Sequence, residues 1–134
     1  MSEQNHTGSC LCGAVAFEVN GPLTGVSFCH CSQCRKMTGH YLASTQAEAA
    51  DMTFTEDRGL KWFRSSEGAE RGFCAECGST LFWRADGRAD LSIAIGVIDG
   101  ATGLGGGHHI FVADKGDYYE LADDLPKFPV TSRG

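Results

Sequence analysis

The chain of 134 residues is the length of one domain, and its net charge of −6, with a pI near 5.2, sets its surface against a phosphate backbone and excludes nucleic acid as the expected partner. No apolar run approaches the ~18 residues that would suggest a membrane span, and residues 1–9 are polar where a secretion signal needs an apolar stretch, so the sequence predicts a soluble, cytoplasmic protein with no membrane partner. Glycine is about twice as frequent as the ~7% ordinary in proteins, which predicts many turns and little helix.

Residues 12–20 alternate Val15, Phe17 and Val19 with Ala14, Ala16 and Glu18, predicting a half-buried strand closed by Asn20-Gly21-Pro22. Its start carries the first cysteine group, Cys10-Leu11-Cys12-Gly13. Residues 25–28 lead into the second group, Cys29-His30-Cys31-Ser32-Gln33-Cys34, and 32–38 predict one short helix with Ser32 as N-cap and Gly39 as its stop. Strands are predicted over 41–46, 52–55, 60–64, 69–73, 80–84, 91–95 and 109–112, divided by turns such as Asp57-Arg58-Gly59 and Ala85-Asp86-Gly87. The third group, Cys74-Ala75-Glu76-Cys77-Gly78, falls between two of them. Short, evenly spaced strands predict a mostly β, antiparallel architecture with at most one short helix.

Other features yield milder expectations. The glycine-rich run 100–107 lacks the Gly-Lys-Ser/Thr ending and following helix of a phosphate-binding loop and reads as a surface loop. Trp62, Phe63, Phe82, Trp83, Phe111, Tyr118 and Tyr119 read mostly as core or rim packing. His109, in His-Ile-Phe-Val-Ala-Asp-Lys, is either a strand histidine satisfied by its neighbours or a contact to a substrate or ligand. Asp123-Asp124 reads as a solvated turn.

The seven cysteines carry most of the chemical information. Their odd number, the reducing compartment and spacings of one or two residues all disfavour disulfides and suit a soft metal ion, zinc first. A redox switch is disfavoured because no thioredoxin-like βαβ pattern surrounds the Cys-x-x-Cys groups. The two pairs followed by glycine, Cys10 with Cys12 and Cys74 with Cys77, read as halves of one closed, structural four-thiolate site. Cys29, Cys31 and Cys34 then form a three-thiolate site whose fourth position is open to water or substrate, as in catalytic zinc sites. Arg35-Lys36 follow where the other groups have glycine and could hold an anionic substrate. The alternative is that His30, His40, His108 or His109 completes a second structural site, and other pairings of the three groups remain open at this point.

The segments Gly-Ser-Cys-Leu-Cys-Gly-Ala-Val-Ala-Phe-Glu-Val, Cys-His-Cys-Ser-Gln-Cys-Arg-Lys-Met-Thr-Gly, Arg-Gly-Phe-Cys-Ala-Glu-Cys-Gly-Ser-Thr-Leu-Phe and His-Ile-Phe-Val-Ala-Asp-Lys, in that order, resemble the glutathione-dependent formaldehyde-activating enzyme family, also called the centromere protein V family. The resemblance runs over residues 8–128, a single domain that leaves 1–7 as a flexible N-terminal tail and 129–134 as a C-terminal tail. It implies a zinc-stabilised β-tent fold with two zinc ions per chain: a structural ion on Cys10, Cys12, Cys74 and Cys77, and a second on Cys29, Cys31 and Cys34. It further implies a carbon–sulfur lyase acting on a small-molecule thiol such as glutathione and its formaldehyde adduct, S-hydroxymethylglutathione. Around the open zinc site Arg35 and His109 are then candidates for catalysis, with Arg35 or Lys36 for a substrate carboxylate. The competing expectation is a non-catalytic zinc-binding or interaction module with two structural ions. Gly116-Asp117-Tyr118-Tyr119 stands where members often carry a Pro-Trp pair, and the 100–107 loop is also a departure.

Overall fold

In the computed structural model, which describes residues 5–132, Val15, Phe17 and Val19 are all buried, Phe17 and Val19 on one face of a short strand. The described strands are β1 (Asn5–Ser9), β2 (Ala16–Asn20), β3 (Val26–Cys29), β4 (Leu42–Glu48), β5 (Met52–Glu56), β6 (Leu60–Ser66), β7 (Ala69–Cys74), β8 (Thr80–Ala85), β9 (Asp90–Ala94) and β10 (Gly106–Ile110), with one helix, α1 (Ser32–Thr38). They form a three-stranded sheet in the order β1-β2-β5 and a seven-stranded sheet in the order β10-β3-β4-β9-β8-β7-β6. The fold is mostly β, as the turn-rich sequence predicts.

The two sheets meet through aromatic rings. Phe17 of β2 packs edge-on against Phe82 of β8 at 5.3 Å between centroids, and Phe54 of β5 contacts both. Val15, Val19, Leu81, Leu91, Ile93 and Ile98 fill the space around them. Burying each such side chain contributes about 1.5–3 kcal/mol. Gly8 of β1 is required by this packing, since a Cβ there would lie 2.5 Å from the Phe17 ring and 2.7 Å from the Val97 carbonyl oxygen.

Three expectations are corrected. Residues 5–7 are not a tail, because β1 pairs antiparallel with β2 from Asn5 opposite Asn20 to Ser9 opposite Ala16; residues 1–4 and 133–134 lie outside the described residues. The segment from 126 to 132 is also docked: Pro126 O accepts from His109 N, Val130 O accepts from Phe111 N at 2.6 Å, and Pro129 O accepts from Ala113 N. Finally, the ladder is not wholly antiparallel. β10 pairs parallel with β3, and its Gly106 and Gly107 belong to the strand rather than to a loop. The long chain between the two strands permits that parallel crossover. A Cβ on Gly107 would press to 3.2 Å from Val26 O, so bare glycine allows the approach. No helix among the described residues is long and apolar enough to cross a membrane.

Candidate functional site

Cys10, Cys12, Cys74 and Cys77 converge so that their sulfurs all lie within 4.8 Å of one another. Cys10 and Cys12 flank the turn after β1, whereas Cys74 ends β7 and Cys77 lies in the turn before β8, so the cluster ties one sheet to the other. Gly13 (φ 86°) and Gly78 (φ 83°) adopt the left-handed conformation that closes each half-site. The turned backbone aims Val15 N at Cys10 Sγ (3.3 Å) and Glu76 N and Cys77 N at Cys74 Sγ (both 3.4 Å). Four thiolates ~2.3 Å from one zinc ion stand about 3.8 Å apart at the corners of a tetrahedron. The Cys10–Cys12 and Cys12–Cys74 separations of 3.7 and 3.8 Å fit that figure. The Ser79 hydroxyl, 3.1 Å from Cys77 Sγ, holds that thiol down to about 5 and so favours the ligating thiolate.

Cys29, Cys31 and Cys34 form the second cluster, again within 4.8 Å, and no histidine or carboxylate of the described residues joins them. The end of β3 supplies Cys29, and Cys31 is the N-cap of α1, its sulfur accepting from Cys34 N at 3.3 Å. The cap is thus one residue before the predicted Ser32, while Gly39 (φ 88°) stops the helix where expected. Sharing of protons with Cys29 and then Cys34 holds the Cys31 thiol down to about 2, and the same sharing pushes Cys29 up. Three sulfurs this close cannot all be thiolates without a cation among them. Both clusters therefore fit a metal ion in donor chemistry and spacing, and all seven cysteines are free of disulfides.

The second cluster opens into a cavity of about 810 Å³, large enough for a small-molecule ligand. Its floor is one face of the seven-stranded sheet and can be read from the register. Arg71 of β7 stands opposite Trp83 of β8, Trp83 opposite Ser92 of β9, and Ser92 opposite Gln46 of β4. Further along, Ser44 faces Ser27 of β3, and Ser27 faces His108 of β10. All of these line the cavity. Serines where a sheet face would otherwise carry branched apolar side chains leave the volume unfilled. At the rim, Phe111 is the one non-glycine residue of those described with a left-handed backbone (φ 54°), a strained conformation of the kind found at functional sites.

Arg71 is the residue that motif reasoning missed. It is 3% exposed, both Nη atoms lie 3.6 Å from Cys34 Sγ, and Nη2 donates to Gln33 Oε1 at 3.3 Å. Its Nε is buried without a partner, and no carboxylate of the described residues pairs with it. The available signal was its parity with buried Ala69 on β7, three residues before Cys74. Arg35 and His109 do not line the cavity, and Lys36 is exposed on α1 outside it. His109 is buried instead between His30 and Asp123: its Nδ1 is 2.8 Å from His30 Nε2, and its Nε2 is 2.9 Å from Asp123 Oδ2. Asp123, read as a solvated turn residue, is thereby an acceptor for a buried ring, and that hydrogen bond holds its carboxyl down to about 2. Burial, and then His109 beside it, hold His30 down to about 4. Of the four histidines weighed as a further ligand, only His108 lines the cavity.

Comparisons with known proteins bear on the family and the fold. The model of the glutathione-dependent formaldehyde-activating enzyme family matches residues 5–114. An uncharacterized lyase of Schizosaccharomyces pombe is 28% identical over 127 residues, covering 93% of this chain and 91% of that protein. A crystal structure of a Rhodobacter sphaeroides protein shares the fold with a TM-score of 0.60 at 22% identity, over 71% of this chain and 89% of that one.

Proposed function

The chain belongs to the glutathione-dependent formaldehyde-activating enzyme family, and on that footing we propose that it is a zinc-dependent carbon–sulfur lyase acting on a thiol–aldehyde adduct. S-hydroxymethylglutathione or a related small thiol conjugate is the substrate class. Two zinc ions per chain complete the reading, a structural one on Cys10, Cys12, Cys74 and Cys77 and a second on Cys29, Cys31 and Cys34. Seven free thiols suit a cytoplasmic, reducing setting. The observation that carries the reading is the three-sulfur cluster, short of one protein donor among the described residues, at the wall of an 810 Å³ cavity.

A zinc ion held by Cys29, Cys31 and Cys34 would supply Lewis acidity to an oxygen or sulfur of the conjugate. The chain's own residues do the rest. Arg71 offsets thiolate charge at Cys34, so the cluster's electron density is not left wholly to the ion. The hydroxyl-bearing floor of Ser27, Ser44 and Ser92 offers hydrogen bonds to a polar conjugate, and Trp83 offers it an apolar surface. His108 is the one imidazole of the described residues on the cavity wall and is placed to carry a proton. As the adduct forms, the thiol sulfur's electron pair makes the C–S bond, the carbonyl π pair moves to oxygen, and the thiol proton ends on that oxygen. Cleavage reverses each transfer. Arg35 and His109 have no substrate contact in this scheme.

The test is elemental analysis followed by calorimetry with S-hydroxymethylglutathione formed from glutathione and formaldehyde. Two zinc equivalents and adduct binding are expected for the wild type, with one equivalent and no binding for Cys31→Ser. A protein that carries both ions yet binds neither thiol nor adduct would overturn the proposal.

A further inference from the structure

His30 lies between two ligands of the three-sulfur cluster, yet its ring points into a different part of the molecule. It is 1% exposed, and its two ring nitrogens are both engaged. Nε2 is 2.8 Å from His109 Nδ1, and Nδ1 is 2.5 Å from the Tyr119 hydroxyl oxygen. His109 in turn reaches Asp123 Oδ2 from Nε2 at 2.9 Å. Four side chains from three stretches of sequence thus form one continuous line: His30 beside the cluster, His109 in β10, and Tyr119 and Asp123 in the segment that follows β10.

With both rings uncharged, the direction of each hydrogen bond in this line follows from its ionised end. A carboxylate can only accept, so His109 donates from Nε2 and a neutral ring then accepts at Nδ1. His30 must then donate from Nε2, which leaves its own Nδ1 to accept from the Tyr119 hydroxyl. One tautomer of each ring satisfies the whole line. The backbone reinforces it: Ile110 O accepts from His30 N at 3.0 Å, Pro126 O accepts from His109 N, and His109 O accepts from Phe128 N. Phe28, His109 and His30 also stack in succession, with centroids 5.0 and 5.1 Å apart.

We infer that His109 and Asp123 are positioning residues for the three-sulfur cluster: by fixing the tautomer and orientation of His30, they hold the backbone of residues 29–31 so that Cys29 and Cys31 present their sulfurs together. The inference rests on the reading of that cluster as a metal centre but concerns neither substrate nor reaction. Partners that orient metal ligands from outside the coordination sphere typically change affinity by about 10–100-fold when removed. The four-cysteine cluster belongs to other elements and serves as an internal control.

The experiment is Co²⁺ and Zn²⁺ titration of the metal-stripped and reloaded full chain, following the two thiolate–cobalt signatures separately with a competing chelator. His109→Phe keeps a ring stacked between Phe28 and His30 but removes both hydrogen bonds; it should weaken the three-sulfur site at least tenfold and leave the four-sulfur site unchanged. Asp123 is at the surface, where it also accepts from Leu125 N and Lys127 Nζ; Asp123→Ala should weaken the same site alone. Asp123→Asn keeps an acceptor for His109 Nε2 and should restore most of the lost affinity. Equal weakening of both sites, or no change at the three-sulfur site in Asp123→Ala, overturns the inference while leaving the lyase proposal standing. A wild type that takes up one ion only overturns both.

Discussion

Cys31→Ser and Cys34→Ala remove ligands of the same candidate ion, so whatever folding energy that ion adds is lost equally from both. Their difference measures what each side chain does besides. Cys31 Sγ caps α1 by accepting from Cys34 N. A serine hydroxyl is a preferred acceptor at an N-cap, so Cys31→Ser keeps the helix start or improves it by up to ~1 kcal/mol. Cys34, 3% exposed, is the sulfur on which the equally buried Arg71 guanidinium rests. With that sulfur gone, Gln33 Oε1 is the remaining side-chain acceptor for Arg71. Leaving a buried guanidinium short of one acceptor costs about 1–3 kcal/mol, and neither group here is screened by solvent. Cys34→Ala should therefore be less stable than Cys31→Ser by about 1–3 kcal/mol, or roughly 4–11 °C in midpoint for a chain of this size. Urea unfolding followed by tryptophan fluorescence measures the difference, with zinc analysis confirming one equivalent in each variant. The double variant Cys34→Ala/Arg71→Met should recover most of it, since the buried cation is then gone as well. Equal midpoints for the two single variants would refute the account of Arg71 as a buried cation compensated by cluster sulfur.

Cys77→Ser breaks the cluster that ties the two sheets and should forfeit on the order of 10 kcal/mol of metal-coupled folding, comparable with the whole stability of a domain, so circular dichroism should find it unfolded where Cys31→Ser is folded. Ser92→Val fills the cavity floor with a branched side chain; adduct affinity in calorimetry should fall at least tenfold, with the unfolding free energy changed by less than about 1.5 kcal/mol. The Asp123 carboxyl titrates lower in the folded protein than in the unfolded chain because it accepts from His109. Its contribution to stability is therefore complete above the ordinary carboxyl range near pH 4 and is lost as pH falls from there toward 2. Urea midpoints taken from pH 6 to pH 2 should fall less steeply for Asp123→Asn than for the wild type.

The parts of the fold legible in the sequence are those where local chemistry and tertiary packing ask for the same residue. Helix α1 is bounded as expected because Gly39 alone can take the left-handed position that ends it. The three local cysteine groups could be read from spacing because ligands one or two residues apart converge with little help from the rest of the chain, whereas the joining of Cys10 and Cys12 to Cys74 and Cys77 depends on how the two sheets meet. What was not legible depends on distant partners. β1 is polar and carries no alternation; it exists because β2 offers it an edge and because Gly8 lets the Phe17 ring pass. β10 begins on glycines, which favour loops in isolation and are needed here for the parallel approach to β3. Arg71 looks like an ordinary strand charge until the register sets it opposite Trp83 and against Cys34. Asp123 looks solvated until the closing segment docks beside β10 and brings it to His109.

The same register explains why two clusters of one residue type are fitted for different work. A divalent ion among four thiolates would leave two negative charges uncompensated, and no Lys or Arg of the described residues is hydrogen-bonded to those sulfurs. Such a centre is electron-rich, coordinatively complete and poor at attracting a further anionic donor. On the proposed reading the same ion among Cys29, Cys31 and Cys34 would leave one, which the guanidinium of Arg71 would offset. Such a centre would be close to neutral, one donor short, and able to accept a thiolate or alkoxide without accumulating charge in the cavity, where unpaired charge is costly. Position accords with that reading: the four-sulfur cluster joins two sheets at a turn, and the three-sulfur cluster faces a floor kept open by serines. A variant that exchanges Arg71 for an uncharged residue of similar bulk, such as Arg71→Met, should consequently hold its second ion and lose affinity for anionic thiol ligands, a separation that a purely structural role for Arg71 would not produce.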